Sequence, residues 1–295
     1  MGPELPAADS PKLANLEGRA TLVWSDGYSD VEHASMGRFS HDIHDVLSRW
    51  DYFQDWSQGM MPQISGSPDM KLMGPPVPRP SQIFAIGLNY REHTVEAGYD
   101  TGGLPQVFTK FSSCLTGPSS HVTAVSSRID WEVELVAVLG RTGRDIGEDE
   151  AWSFVAGLMI GQDISARDVQ LAGSAPQWSL GKSFAGFGPT GPWITSARDC
   201  PGRDDLGIEC ELNGERMQSD RTSSMIWSVS ELVARLSTVC ELRAGDLIFT
   251  GTPAGIGNRR SPPKYISPGD RLVSRIETLG EIVSEFVSPG VDVTS

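Results

Sequence analysis

The sequence predicts a strand-rich α+β fold with few helices. Short apolar runs recur along most of the chain, separated by glycine and proline. Glycine (32) and proline (20) exceed ordinary usage, which suits many turns rather than a helical bundle. Helical periodicity is confined to two stretches. At 295 residues the chain can bury a full core, as one large domain or as one domain with a small appendage.

Residues 1–11, rich in proline and alanine, are expected to be poorly ordered. Residues 20–34 read as a hairpin, because Ser25-Asp26-Gly27 lies between apolar runs and Asp-Gly is a strong turn signal. Ser40 is placed to cap a helix carrying Ile43, Val46, Leu47, Trp50, Phe53 and Trp56, whose offsets follow a 3.6-residue stripe. These aromatics read as packing. A proline-rich connector over 62–80 then separates a small N-terminal module, 1–79, from a main domain, 80–295. Within the main domain, strands are expected at 83–87, 107–110, 132–139, 154–160, 207–212, 247–250, 271–276 and 282–286. A second helix is expected at 228–236, where Val229, Leu232, Val233 and Leu236 form a stripe.

A net charge of −14 opposes nucleic-acid or anionic-membrane binding, since phosphates need a basic face. No apolar run reaches membrane-spanning length. Cys114, Cys200, Cys210 and Cys240 form no C-x-x-C pair, so they read as reduced thiols and the expected location is cytoplasmic. The N-terminal residues lack the basic and apolar regions of a secretory signal.

The most informative stretch is Asp130-Trp131-Glu132-Val133-Glu134-Leu135-Val136. On a strand Glu132 and Glu134 share one face, and like charges that close repel unless a cation lies between them. Asp163, in a second apolar run, can supply a third oxygen. Three carboxylates without a nearby His or Cys suit a hard divalent cation: magnesium, manganese or calcium. The alternative is a solvated acidic edge, which the apolar continuation Leu135-Val136-Ala137-Val138-Leu139 weakens.

His93 and Glu96 are three apart, so on a helical turn they share a face, and the carboxylate can orient the imidazole as a general base. An incidental surface pair is the other reading. Gly98, Gly102 and Gly103 beyond them suit a mobile lid. Lys182, in a glycine-rich apolar run, either meets an anionic intermediate or snorkels to the surface. The run Thr250-Gly251-Thr252-Pro253 either holds a carboxylate through hydroxyls and amides or is a tight turn. No phosphate loop, dinucleotide fingerprint or G-x-S-x-G elbow is present.

Taken in order, these segments resemble the fumarylacetoacetate hydrolase family. The matching segments are Ile86-Gly87-Leu88-Asn89-Tyr90 with His93 and Glu96, Phe108-Thr109-Lys110, and Asp130 to Leu135. They continue through Asp163-Ile164-Ser165-Ala166-Arg167-Asp168 with Gln170, Gly181-Lys182-Ser183-Phe184, Pro189-Thr190-Gly191-Pro192 and Asn213-Gly214-Glu215. Gln218, Ser237, Gly245-Asp246 and Thr250 to Pro253 complete the set. The likeness spans about residues 80 to 287. It implies a mixed β-roll, a homodimer, and magnesium or manganese held by Glu132, Glu134 and Asp163. It further implies water activation by His93 with Glu96, and substrate contacts from Lys182, Lys110, Gln170 and Thr252. Two residues depart from the pattern: Ala185 stands where relatives often carry aspartate, and Gln162 where many carry asparagine.

The leading expectation is therefore a metal-dependent hydrolase that cleaves a carbon–carbon bond in a small 1,3-dicarbonyl or 2-oxo acid through an enolate. A decarboxylase, hydratase or tautomerase of 2-oxo acids would use the same residues. A non-catalytic metal- or metabolite-binding protein is the rival from another class, and the His93–Glu96 pair speaks against it.

Overall fold

In the computed structural model of the protein, residues 10–92 and 105–290 are described. Two mixed sheets form the frame. The longer one runs Ile64–Ser65, Gly27–Asp30, Arg19–Val23, Lys12–Leu16, Gly188–Ser196, Val155–Gln162, Val133–Leu139, Leu247–Phe249, Ile83–Gly87 and Gln106–Thr109. Neighbours along it are antiparallel except Leu247–Phe249 and Ile83–Gly87, which run parallel. The second sheet orders Glu215–Arg221, Gly207–Leu212, Arg271–Ile276, Gly280–Val287 and Ser119–Thr123, the last pair parallel.

The strand Val133–Leu139 is buried over its whole length. Its alternate residues belong to different cores. Val133, Leu135, Ala137 and Leu139 join a cluster with the second sheet and the helix Val229–Val239. Val136 and Val138 join another, with Leu13 and Leu22 of the N-terminal strands and Val46, Leu47, Trp50 and Phe53 of the helices that follow. Cover on both faces explains why the run reads as continuously apolar rather than alternating. It also means that the acidic residues at the start of this strand enter the protein interior.

Several expectations hold in detail. Arg19–Val23 and Gly27–Asp30 form the hairpin, with Trp24 N–H donating to the Gly27 carbonyl at 2.8 Å. The helix expected at 228–236 extends to Val239 and opens with a reciprocal capping box between Ser228 and Glu231. The helix expected from Ser40 is instead two, Ile43–Ser48 and Trp50–Ser57, broken at Arg49 (φ −125°, ψ 36°). Its cap is Asp42, whose carboxylate accepts His44 N–H at 2.9 Å, while the Ser40 hydroxyl accepts Asp42 N–H. Asp42 immediately precedes the first helical residue, where a side-chain acceptor reaches the open amides.

Gly188–Ser196 is a strand outside the expected set, although Gly188, Pro189, Gly191 and Pro192 have little local preference for one. Pairing on both sides outweighs that weak preference. Leu13 lies opposite Ile194, and Gly161 opposite Thr190, so this strand joins the N-terminal strands to the site-bearing strands. Lys12–Leu16, Ser119–Thr123 and Glu215–Arg221 also form strands outside the expected set.

Replacing Ser228 by alanine should remove one half of the capping box and lower stability by about 1 kcal/mol, within roughly 0.5–2 kcal/mol. Urea denaturation checks this as a lowered midpoint with unchanged slope.

Candidate active site

Glu132 directly precedes the buried strand, and Glu134 is its second residue. Asp163 follows the antiparallel neighbour Val155–Gln162, in which Gln162 lies opposite Val133. Asp163 N–H donates to the Glu132 carbonyl at 2.9 Å, which ties the two chain segments together where the ladder ends. One oxygen from each of Glu132, Glu134 and Asp163 lies within 4.8 Å of the others, and all three residues are buried.

Three cations are packed among these acids. Lys182 Nζ donates to Glu132 Oε2 at 2.6 Å and to Asp163 Oδ2 at 2.5 Å. Arg167 Nη2 reaches Glu132 Oε1 at 2.7 Å and Asp130 Oδ2 at 2.7 Å, while its Nη1 donates to Gln170 Oε1. Lys110 Nζ meets the other Asp163 oxygen at 2.7 Å. Burial alone would lower the Lys182 ammonium, but Asp163 and Glu132 outweigh it and hold the group above its ordinary value. Lys182 therefore stays charged and can stabilise an anion.

Glu134 is different. It accepts Gly251 N–H at 2.8 Å, but no cation forms an ion pair with it among the described residues. Burial first, then Asp163 and Glu132, push its carboxyl well above the ordinary 4.5. A buried carboxylate facing two others needs a cation, and an all-oxygen donor set matches magnesium or manganese.

Two side-chain amides fix the backbone beneath the acids. Gln162 Oε1 accepts Glu132 N–H at 2.9 Å, and its Nε2 donates to Ser274 Oγ in the second sheet at 2.8 Å. Gln218 Oε1 accepts Val133 N–H at 3.1 Å, and its Nε2 donates to Thr252 Oγ1 at 2.8 Å. Gly251 itself lies at φ +98°, and a Cβ there would stand 2.8 Å from that of Asn89. Glycine is required for its amide to reach Glu134. Close approach matters again at Gly181, where a Cβ would lie 2.6 Å from the Gln170 nitrogen. Its absence lets Arg167–Gln170 and Trp178–Gly181 touch, bringing Arg167 and Lys182 to one site.

Glu132, Arg167, Gln170, Lys182 and Thr252 line one cavity, whose walls include Ile86, Leu88, Phe108 and Trp178. Polar groups of both signs at the base of an apolar cleft are the arrangement of a small-molecule site.

The profile described as "Fumarylacetoacetate (FAA) hydrolase C-terminal" matches residues 82–287. The chain belongs to the fumarylacetoacetate hydrolase family. Among its relatives, the mitochondrial oxaloacetate tautomerase FAHD2B of Bos taurus is 38% identical over 214 residues, covering 72% of this chain and 68% of that protein. The crystal structure of a putative HpcE protein from Mycobacterium smegmatis matches with TM-score 0.90 and 48% identity, covering 94% of this chain and 99% of that one. Fumarylpyruvate hydrolase from Pseudomonas aeruginosa, solved with Mn2+ and pyruvate, matches with TM-score 0.64 and 30% identity, covering 70% and 89%. Relatives of this chain thus carry names for tautomerisation and for hydrolysis.

The family-derived residues are brought together to different degrees. Glu132, Glu134, Asp163 and Lys182 form one cluster, and Gln170 and Thr252 line the same cavity. The Thr252 hydroxyl donates to the Val133 carbonyl at 2.9 Å, so it also braces the acidic strand. Lys110 stands behind the cluster rather than on the cavity. Its ammonium has three donors, and Asp163, the Lys182 carbonyl and the Phe187 carbonyl take all three. This geometry makes Lys110 a support for Asp163. His93, Glu96 and the glycines at 98, 102 and 103 lie outside the described residues. Arg167 and Asp130 had no assigned role in the sequence reading, and their signal was available: an arginine four residues after Asp163, and an aspartate two before Glu132.

Removing Arg167 leaves Asp130 and Glu132 buried without their shared cation, so Arg167→Met should cost about 3–5 kcal/mol in urea unfolding. The raised Glu134 carboxyl gives a second test. The native state binds a proton that the unfolded chain has released, so metal-free stability should fall as pH rises from 4.5 through the raised value. The slope approaches about −1.4 kcal/mol per pH unit for one proton. Unfolding at stepped pH should show this slope in EDTA and a flatter profile with Mn2+, because a bound cation replaces the proton.

Proposed function

We propose that the protein is a divalent-metal-dependent tautomerase of a small 2-oxo acid, using magnesium or manganese. The observation that carries this reading is the buried cluster of Glu132, Glu134 and Asp163, with the Lys182 ammonium against two of its members, at the base of an apolar-walled cavity. The name of the 38%-identical relative, oxaloacetate tautomerase, supports tautomerisation over cleavage.

Glu132, Glu134 and Asp163 would hold the metal, which supplies a Lewis acid for the carbonyl oxygen of a 2-oxo acid. Lys182 adds fixed positive charge where negative charge develops. Arg167 keeps Glu132 aligned, and Gln170 and Thr252 place polar atoms on the same cavity. In ketonisation the enol O–H proton leaves to a base, and the C2=C3 electron pair takes a proton at C3. Lys182 and Arg167 are held in their charged forms by neighbouring carboxylates and cannot serve as that base. Proton transfer would fall to His93, which the family resemblance pairs with Glu96.

Hydrolytic carbon–carbon cleavage is the second reading. It is favoured by the solved relative named fumarylpyruvate hydrolase, which binds Mn2+ and pyruvate. The base that moves a proton in tautomerisation would there activate water.

Ultraviolet decay of enol-oxaloacetate, with Mn2+ or Mg2+, is the decisive assay. Wild-type protein should accelerate it and EDTA should abolish the effect. Glu132→Gln should lower the rate by at least about 100-fold, and His93→Ala by about 10²- to 10⁴-fold. Release of pyruvate from an acylpyruvate, without faster oxaloacetate ketonisation, would replace this reading with hydrolysis.

A further inference from the structure

The mouth of the cavity carries a cation that the reaction scheme does not use. Arg259 lines the same cavity as Glu132 and Lys182, and it is exposed. It forms no ion pair and no side-chain hydrogen bond among the described residues. Its neighbours are committed elsewhere. Arg260 donates to the Gly255 and Met217 carbonyls, and Arg128 donates to Asn258 Oδ1.

The backbone beneath Arg259 is tied to the site. Arg259 ends the short 3-10 turn Gly257–Arg259, where Gly257 N–H donates to Asp130 Oδ1 at 2.6 Å and Asn258 N–H to Asp130 Oδ2 at 2.9 Å. Asp130 is the partner of Arg167, which in turn holds Glu132. A Cβ on Gly257 would lie 2.0 Å from the Lys264 carbonyl, so the turn can pack this closely only with glycine. The Asn258 side chain is also fixed, accepting from Tyr265 OH at 2.8 Å. An anchored turn therefore presents an uncommitted guanidinium to the cavity that holds the acids.

Charge gives that guanidinium a partner. Asp130, Glu132, Glu134 and Asp163 are faced by Lys110, Arg167 and Lys182, which leaves this cluster with one net negative charge. A divalent cation turns that into one positive charge, which a single 2-oxo carboxylate satisfies. Arg259, exposed on the same cavity, adds a second positive charge.

We propose that Arg259 binds the distal carboxylate of the substrate and so selects 2-oxo acids that are anionic at both ends. This rests on the assignment of the cavity to 2-oxo acids. Guanidinium suits the task because its planar donors match a carboxylate in two-point contact.

The test compares oxaloacetate with its 4-methyl ester, which keeps the 2-oxo acid end and neutralises the far end. In the Mn2+-loaded protein, Arg259→Met should lower the kcat/KM preference for oxaloacetate over the ester by about 10- to 100-fold, mainly through KM. Arg259→Lys should recover part of that preference. Calorimetric binding of both compounds to Mn2+-loaded wild type and Arg259→Met provides a readout that needs no turnover. A selective loss of oxaloacetate affinity supports the role of Arg259 even if neither compound is turned over, in which case only the tautomerase reading fails. An unchanged preference in the variant, or equal weakening of both compounds, overturns it.

Discussion

A buried acid cluster that is one charge away from balance is the constraint on which the rest of this structure depends. Asp130, Glu132, Glu134 and Asp163 are all withdrawn from water beside Lys110, Arg167 and Lys182. Isolated buried carboxylates are too costly to keep charged, so each must find a cation or take up a proton. Asp130 and Glu132 share Arg167, while Asp163 is shared between Lys110 and Lys182. Glu134 has no such partner among the described residues and is pushed toward its protonated form by burial and by its two acidic neighbours. The metal-free site therefore reaches neutrality with one proton, at the position where a divalent cation would displace it.

The surrounding fold can be understood as what holds that cluster in place. A strand covered on both faces carries Glu132 and Glu134 inward, and its antiparallel neighbour ends where Asp163 must stand. Where the ladder ends, backbone amides would be left open. Gln162 and Gln218 accept them and connect the acids to the second sheet and to the Thr252 turn. Gln162 is thus one methylene longer than the asparagine expected from the family pattern, and that length is used to span from Glu132 to Ser274. Rigid supports of this kind keep the acids from relaxing away from one another, and the geometry of a metal site depends on them.

Much of this was legible in the sequence because it rests on local pattern. The E-x-E spacing, followed by an uninterrupted apolar run, already implied two acids at the mouth of a buried strand. The Asp-Gly hairpin and the Ser228 helix start were equally local signals. What escaped was decided by partners far away in the chain. Gly188–Ser196 looks like turn material, yet it is a central strand because chain on both sides pairs with it. Lys110 was a substrate contact only by family resemblance, and its three acceptors come from residues 163, 182 and 187. Arg167 was visible within a motif, but its task of bridging Asp130 and Glu132 exists only once residues 37 and 35 positions apart are brought together.

The same reasoning explains why the site was easier to read than its reaction. Tautomerisation and hydrolytic cleavage both build negative charge on the oxygen of a 2-oxo acid, and both would be served by the same carboxylate cluster and by Lys182. The acids and cations at the cavity base therefore specify the charge to be stabilised, without specifying which bond to carbon changes. That choice belongs to whichever group delivers or removes the proton and to whether water is admitted beside it. Lys182 and Arg167, held in their cationic forms by neighbouring carboxylates, supply charge rather than a base. A single electrostatic floor of this kind can support more than one chemistry within one fold.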